Sequence, residues 1–203
     1  MKLHQSTHAP NARRVRVFLA EKGLAVTLVE HDLGKFDHRR EAFQSLNVFE
    51  TVPVLELDDG RVISESIAIC RHFEELQPAP TLFGADARAR VEIEMGQRRA
   101  EFHLLMPIAQ AFRHSHPGMA KLESPQIPEW AAVNKARAIV AMERFDGLLA
   151  ERPFIAGEAY SVADITGMVA MDMTRLARIA VPEGLGNLLR WREAVSARPS
   201  AKA

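Results

Sequence analysis

Four short segments hold the side chains best suited to chemistry. Glu65-Ser66 stands directly before an apolar run in which Ile69, Cys70, Phe73 and Leu76 recur at helical spacing. A serine at a helix start offers its hydroxyl, free backbone N–H groups and the positive end of the dipole to a carboxylate, and Glu65 can pair with an ammonium group. The same serine would also serve as a plain N-cap. Pro53 stands between a polar turn and a strand-like run, where an X-Pro bond can adopt the cis form at modest cost. Such a bend frees the Val52 N–H and C=O for an extended peptide, the alternative being an edge-strand proline with no ligand. His38-Arg39 is a basic pair in a polar stretch, a type of pair that is commonly just solvated. Ser6, His8 and Asn11 lie around the start of the first helix, where a hydroxyl or amide could face an anion, although asparagine is also a favoured cap.

What these groups could act on is narrowed by what the chain lacks. Cys70 is the only cysteine, which excludes an internal disulfide, a CxxC pair and a cysteine-rich zinc site. It falls in a helix interior beside Ile69 and Phe73, where cysteine behaves as a small apolar residue, so any thiol chemistry needs a borrowed thiol. The eight histidines show no HExxH spacing, His114 and His116 fall in a polar loop, and no metal site is expected. Met168, Met171 and Met173 read as core filler.

The elements that must position these residues change character once along the chain. Residues 1–5 and 26–30 read as strands around a helical face of Ala12, Val15, Phe18, Leu19 and Lys22 that ends at Gly23. Val52–Leu57 and Arg61–Ser64 flank Asp58-Asp59-Gly60 as a hairpin, and the helix from Ser66 follows. The order is βαβ then ββα, closed by Pro78 and Pro80. Residues 1–78 therefore form one domain, 79–86 a linker, and 87–203 an all-helical domain. In the latter, Asp86 caps a helix through Ala111 that Pro107 must bend, residues 114–128 read as a loop, and Ala131–Leu149 is a second long helix. Ser161-Val162-Ala163-Asp164 is a capping box with Asp in place of Glu or Gln, with Tyr160 and Ile165 at the staple positions.

Bulk composition excludes several classes. Lys plus Arg equal Asp plus Glu at 26 each, so no net field draws the chain to nucleic acid or an anionic membrane. No apolar run approaches the roughly 20 residues of a membrane span, and the first residues read as a strand, so a cytoplasmic protein is expected.

Taken in order, Ala9-Pro10-Asn11-Ala12-Arg13-Arg14-Val15-Arg16, Glu21-Lys22-Gly23, His38-Arg39, Thr51-Val52-Pro53-Val54-Leu55 and Glu65-Ser66-Ile67-Ala68-Ile69 resemble the glutathione transferase family. Phe154-Ile155-Ala156-Gly157, Ser161-Val162-Ala163-Asp164-Ile165 and Ala197-Arg198-Pro199-Ser200 extend the resemblance over nearly the whole chain. It implies a thioredoxin-like N-terminal domain and a helical C-terminal domain, glutathione as cosubstrate, and a homodimer. It also implies a glutathione site of His38, Arg39, Thr51, Val52, Pro53, Glu65 and Ser66, with the basic pair near the glycyl carboxylate. The small partner would be an electrophile or a disulfide or peroxide, in a pocket lined partly by the first helix of the second domain, where helical spacing picks out Arg98, Phe102 and Met106.

Two departures matter. Where much of the family carries a catalytic serine or cysteine before the first helix, this chain has Ala9. Bringing a thiol from a pKa of about 8.5 to about 7 takes roughly 2 kcal/mol, and the resemblance assigns that task to Asn11, with Ser6 the weaker candidate. The alternative is a catalytically weak binding or interaction module that keeps the fold. The family's Asn-Pro-x-Gly before the proline is here Asn47-Val48-Phe49-Glu50, which removes the glycine that the turn would use.

Overall fold

The computed structural model describes residues 1–203, which divide into two compact units, Met1–Thr81 with Lys202–Ala203, and Leu82–Ala201. In the first unit the order is β1 (Lys2–Gln5), α1 (Pro10–Lys22), β2 (Thr27–Glu30), two 3-10 turns (Leu33–Lys35 and Asp37–Arg39), α2 (Glu41–Gln44), β3 (Val54–Glu56), β4 (Val62–Ser64) and α3 (Ser66–Leu76). The strands pair in the order β2-β1-β3-β4, with β1 parallel to β2 and antiparallel to β3. Leu3 is fully buried opposite Leu55, and Val15, Phe18, Ile69, Cys70 and Phe73 of the two main helices are likewise withdrawn from water. Each large side chain so buried contributes about 2 kcal/mol.

Two local features close this unit. Gly23 ends α1 in the left-handed conformation, φ 65°, with its N–H on the Ala20 carbonyl. The buried Lys22 ammonium lies 2.5 Å from Glu74 and donates to the carbonyl oxygens of Gln77 and Pro80 at 2.8 and 2.6 Å. The Gln77 amide returns a bond to the Lys22 carbonyl at 2.7 Å. Lys22 therefore fastens the end of α3 and the segment after it to α1.

The second unit is helical: α4 (Ala87–Arg99), a π segment (Ala100–Leu105), α5 (Met106–Ser115), a 3-10 turn (Pro117–Met119), α6 (Pro128–Leu149), α7 (Val162–Met173), α8 (Gly186–Ser196) and a final 3-10 turn (Pro199–Lys202). Asp86 caps α4, accepting from the Ala89 N–H at 2.8 Å. The bend expected at Pro107 is taken up in the π segment just before it, where the Met106 N–H reaches back to the Glu101 carbonyl. The wider turn removes the clash that a proline ring makes with the carbonyl four residues earlier. The helical path then runs to Ser115, beyond Ala111, and the 114–128 stretch contains a turn and the first residue of α6. Pro128 starts α6 because a proline at the first helical position loses no bond.

Both halves of the capping box at α7 are present. The Asp164 carboxylate accepts from the Ser161 N–H at 2.9 Å, the Ile155 N–H at 2.8 Å and the Trp191 indole at 2.8 Å. Tyr160 and Ile165 are both buried. Helix α8 had no local start signal because its cap comes from α6: Asp146 accepts from the Leu188 N–H at 2.9 Å.

Candidate functional site

In the first unit, α1 and α3 start without a side-chain cap. At α3, β4 ends at Ser64 and Glu65 makes the turn with φ 68° and ψ 117°, a conformation costly for a residue with a Cβ. Glu65 is exposed, and its carboxylate does not cap the helix. Ser66 is buried, and its Oγ accepts a 2.6 Å hydrogen bond from the Arg14 guanidinium. Arg14 lies on the buried face of α1, so α1 delivers a cation to the start of α3. A carboxylate arriving there meets a cation, a hydroxyl and helix N–H groups, with Glu65 at hand for an ammonium.

The sequence alone did not single out Arg14, although a signal existed. An arginine three and four residues before Val17 and Phe18 sits on an apolar face, where a charge needs a partner. One turn into α3, Cys70 is fully buried, and burial pushes its thiol up to about 12 despite the nearby Arg14 charge. It stays protonated near neutrality and is a poor nucleophile.

The segment before β3 is organised by Asn47. Its amide donates to the Thr51 carbonyl at 2.9 Å and to Thr51 Oγ1 at 3.0 Å, and its Oδ1 accepts from the Phe49 N–H at 3.1 Å. Glu50 takes the left-handed conformation, φ 55°, in place of the missing glycine, so the turn survives the substitution. The Val52–Pro53 bond is cis. β3 begins only at Val54, and no ladder or turn bond uses the Val52 N–H or C=O. Ala9 and Val52 belong to one apolar cluster with Ala12, Phe43 and Val54, which sets the α1 start beside this open backbone.

At α1 the N-cap is Ala9, Pro10 is the first helical residue and Asn11 the second. Asn11 is exposed and does not cap, which removes the capping role weighed for it. Ser6 is buried and its carbonyl accepts from the Ala9 N–H at 3.0 Å; His8 is exposed. His38 is buried in the second 3-10 turn, and Arg39 lies over the Phe36 ring with its Nε 3.9 Å from Glu50. Arg39 thus reaches the turn that leads to Val52. The Ala9–Val52 packing and the Arg14–Ser66 bond link α1 to both the Val52-Pro53 segment and the start of α3.

The three residues chosen on the second unit separate. Phe102 and Met106 line a groove of about 860 Å³ together with Trp130, Val133, Arg137 and Val140. Arg98 lies outside it, bonded to Glu94 at 2.8 Å and Glu101 at 3.1 Å. No group of three His, Cys, Asp or Glu side chains could hold a metal ion, and no helix is long and apolar enough to cross a membrane.

Comparison with known proteins bears on the family of the chain. Residues 8–76 match the glutathione S-transferase N-terminal domain and residues 116–199 the glutathione S-transferase C-terminal domain. Glutathione S-transferase 2 of Saccharomyces cerevisiae is 37% identical over 205 residues, covering all of this chain and 88% of the relative. A glutathione S-transferase domain-containing protein of Marinobacter aquaeolei VT8 superposes with a TM-score of 0.95 at 38% identity, over 98% of this chain and 99% of that one. A class Gtt2 glutathione S-transferase of Vibrio parahaemolyticus gives 0.88 at 35%, over 100% and 96%. With a thioredoxin-like first unit, a helical second unit and relatives matching from end to end, the chain belongs to the glutathione S-transferase family.

Proposed function

We propose that the first unit binds glutathione and ionises its thiol for attack on a small electrophile, a disulfide or a peroxide. The observation that carries this reading is the buried Arg14–Ser66 hydrogen bond at the open start of α3, next to Glu65. The γ-glutamyl carboxylate takes the Arg14, Ser66 and helix N–H donors, and the ammonium group takes Glu65. The cysteinyl backbone pairs with the Val52 N–H and C=O as an added strand. His38 and Arg39 face the glycyl carboxylate. The sulfur then lies toward the start of α1, where the unpaired helix N–H groups and the Asn11 amide stabilise the thiolate in place of a hydroxyl. Ser6 is the second candidate for that donor.

Phe102 and Met106 are proposed to contact the electrophile; Arg98, held by two carboxylates, is the weakest of the three. Exposed Trp130, Val133 and Val140 give the second unit an apolar strip that a homodimer would cover. A cytoplasmic location follows from the same reading. Retention on glutathione-agarose, followed by turnover of an aryl halide and of a peroxide, tests the proposal. Ala9, whose methyl faces an apolar cluster at the start of α1 and which brings neither a hydroxyl nor a thiol, favours one alternative, a binding module with little turnover. Retention without turnover of either substrate would support that alternative.

A further inference from the structure

A chain of hydrogen bonds through two histidines lies in the first unit, outside the contacts assigned to glutathione. His4 Nε2 is 3.0 Å from Glu56 Oε2, and His4 Nδ1 is 3.0 Å from His31 Nε2. His4 is buried on β1. His31 follows β2, stacks on the His4 ring at 5.3 Å and meets Phe43 of α2 edge-on at 4.9 Å. Its backbone N–H is tied to the Gln5 carbonyl at 2.8 Å.

Counting protons fixes the roles. An ionised Glu56 can only accept, so His4 Nε2 carries a hydrogen. In the neutral pair His4 Nδ1 is then a bare acceptor, His31 Nε2 donates to it, and His31 Nδ1 is bare. One more proton fits on His31 Nδ1 without breaking either bond. A second would set two N–H groups against each other, so the trio takes one proton and no more.

The charged and titratable groups that face the pair are Lys2 on β1, Glu30 at the end of β2, Asp37 and His38 on the second 3-10 turn, and Glu56 on β3; from α2 the apolar Phe43 ring meets His31. Burial, with the neighbouring His4, holds His31 below the ordinary imidazole range, while Asp37 and Glu30 pull it up. The Glu56 carboxyl is held below its ordinary range by its bonds to His4 and Lys2, so it stays an anion throughout. Asp32, next to His31, accepts from the Asp37 N–H at 3.2 Å and donates its own N–H to Asp37 Oδ2 at 2.9 Å, which ties His31 to the turn that bears His38.

We propose that Glu56, His4 and His31 position and charge the wall of the glycyl-carboxylate subsite, His31 carrying a proton that strengthens binding of the anion at His38 and Arg39. This rests on the glutathione reading above. The sign follows from linkage: an anion bound beside the trio favours its protonated form, so binding takes up a proton and affinity rises as pH falls toward and below the lower end of the ordinary imidazole range. His31 is a positioning residue here, since it acts through the turn that bears His38.

S-methylglutathione is the probe, because its blocked thiol cannot titrate. Calorimetry at about pH 5.5 and about pH 7.5, in buffers of different ionisation enthalpy, should show binding about fivefold tighter at the lower pH with uptake of part of a proton. His31→Gln keeps a donor to His4 but cannot take the proton, so it should flatten the profile while binding at pH 7.5 stays nearly unchanged. Esterifying the glycyl carboxylate should flatten it equally. Glu56→Gln, a second variant, should move the pH dependence to lower pH. A profile that survives in His31→Gln and vanishes in His38→Gln would overturn the proposal in favour of His38 alone. Binding with no proton uptake overturns the trio and leaves the glutathione site standing, whereas no binding at any pH overturns the site itself.

Discussion

Three helix starts solve the same electrostatic problem in two ways. At α7 the free N–H groups and the dipole end are met by the chain's own Ser161 and Asp164, and Asp164 also holds the Ile155 N–H and the Trp191 indole. At α1 and α3 no side chain closes the start. Instead Ala9 stands at one and a strained Glu65 at the other, with Arg14 brought in from a neighbouring helix. A start sealed by its own carboxylate serves the fold; a start left open, with a cation added, has room for an anion from outside. Arg14 sharpens the contrast because it adds positive charge where a cap would have added negative charge.

If α7 is sealed for stability, removing its carboxylate should produce the largest change in folding. Asp164→Ala leaves buried donors on Ser161, Ile155 and Trp191 without their acceptor, and a loss of about 3 kcal/mol or more is expected in chemical denaturation. Less than about 1 kcal/mol would show that water replaces the carboxylate and that the seal is dispensable.

At α3 the effect should fall on binding. Arg14→Met, Ser66→Ala or Glu65→Gln should each weaken glutathione by about 1 to 3 kcal/mol in calorimetry, because each leaves a ligand charge short of a partner. Arg14→Met and Ser66→Ala should not add fully, since the two residues share one hydrogen bond. Unchanged affinity in all three variants would place the ligand elsewhere.

At α1 the change should be confined to the thiol. Asn11→Ala is expected to raise the pKa of bound glutathione by about 1 unit, read from thiolate absorbance against pH, with Ser6→Ala doing less. Because Asn11 is exposed and does not cap, thermal stability should hardly move. A larger shift for Ser6→Ala would transfer the role to that hydroxyl.

The smallest effect is expected at Cys70. Its buried thiol, pushed up to about 12, should resist aromatic disulfide reagents in the native state and react once the chain unfolds. The sign for stability follows: the unfolded thiol ionises above about pH 8.5 while the folded one does not, so this group lowers stability only as pH rises beyond that point. Cys70→Ala should leave turnover and glutathione affinity intact, and a loss of turnover at full affinity would identify it as the reacting sulfur.

The sequence by itself determined whatever depends on neighbours within a turn or two. The βαβ-ββα order, the change to an all-helical chain, the capping box at Ser161 and the segments carrying Val52-Pro53 and Glu65-Ser66 all follow from short-range periodicity and turn chemistry, and the structure has them. Tertiary structure decided what depends on groups distant along the chain. Arg14 reaches Ser66 across 52 positions, Asp146 caps α8 through a residue 42 positions later, and His4 joins Glu56 across 52. It also settled how a proline could lie inside a long helix, through a π turn at Ala100–Leu105, and how glutamate could replace glycine at Glu50, through a left-handed backbone braced by Asn47. Local patterns record the conformational preferences of single residues; which charge meets which is set only when the fold brings remote segments into the same few ångströms.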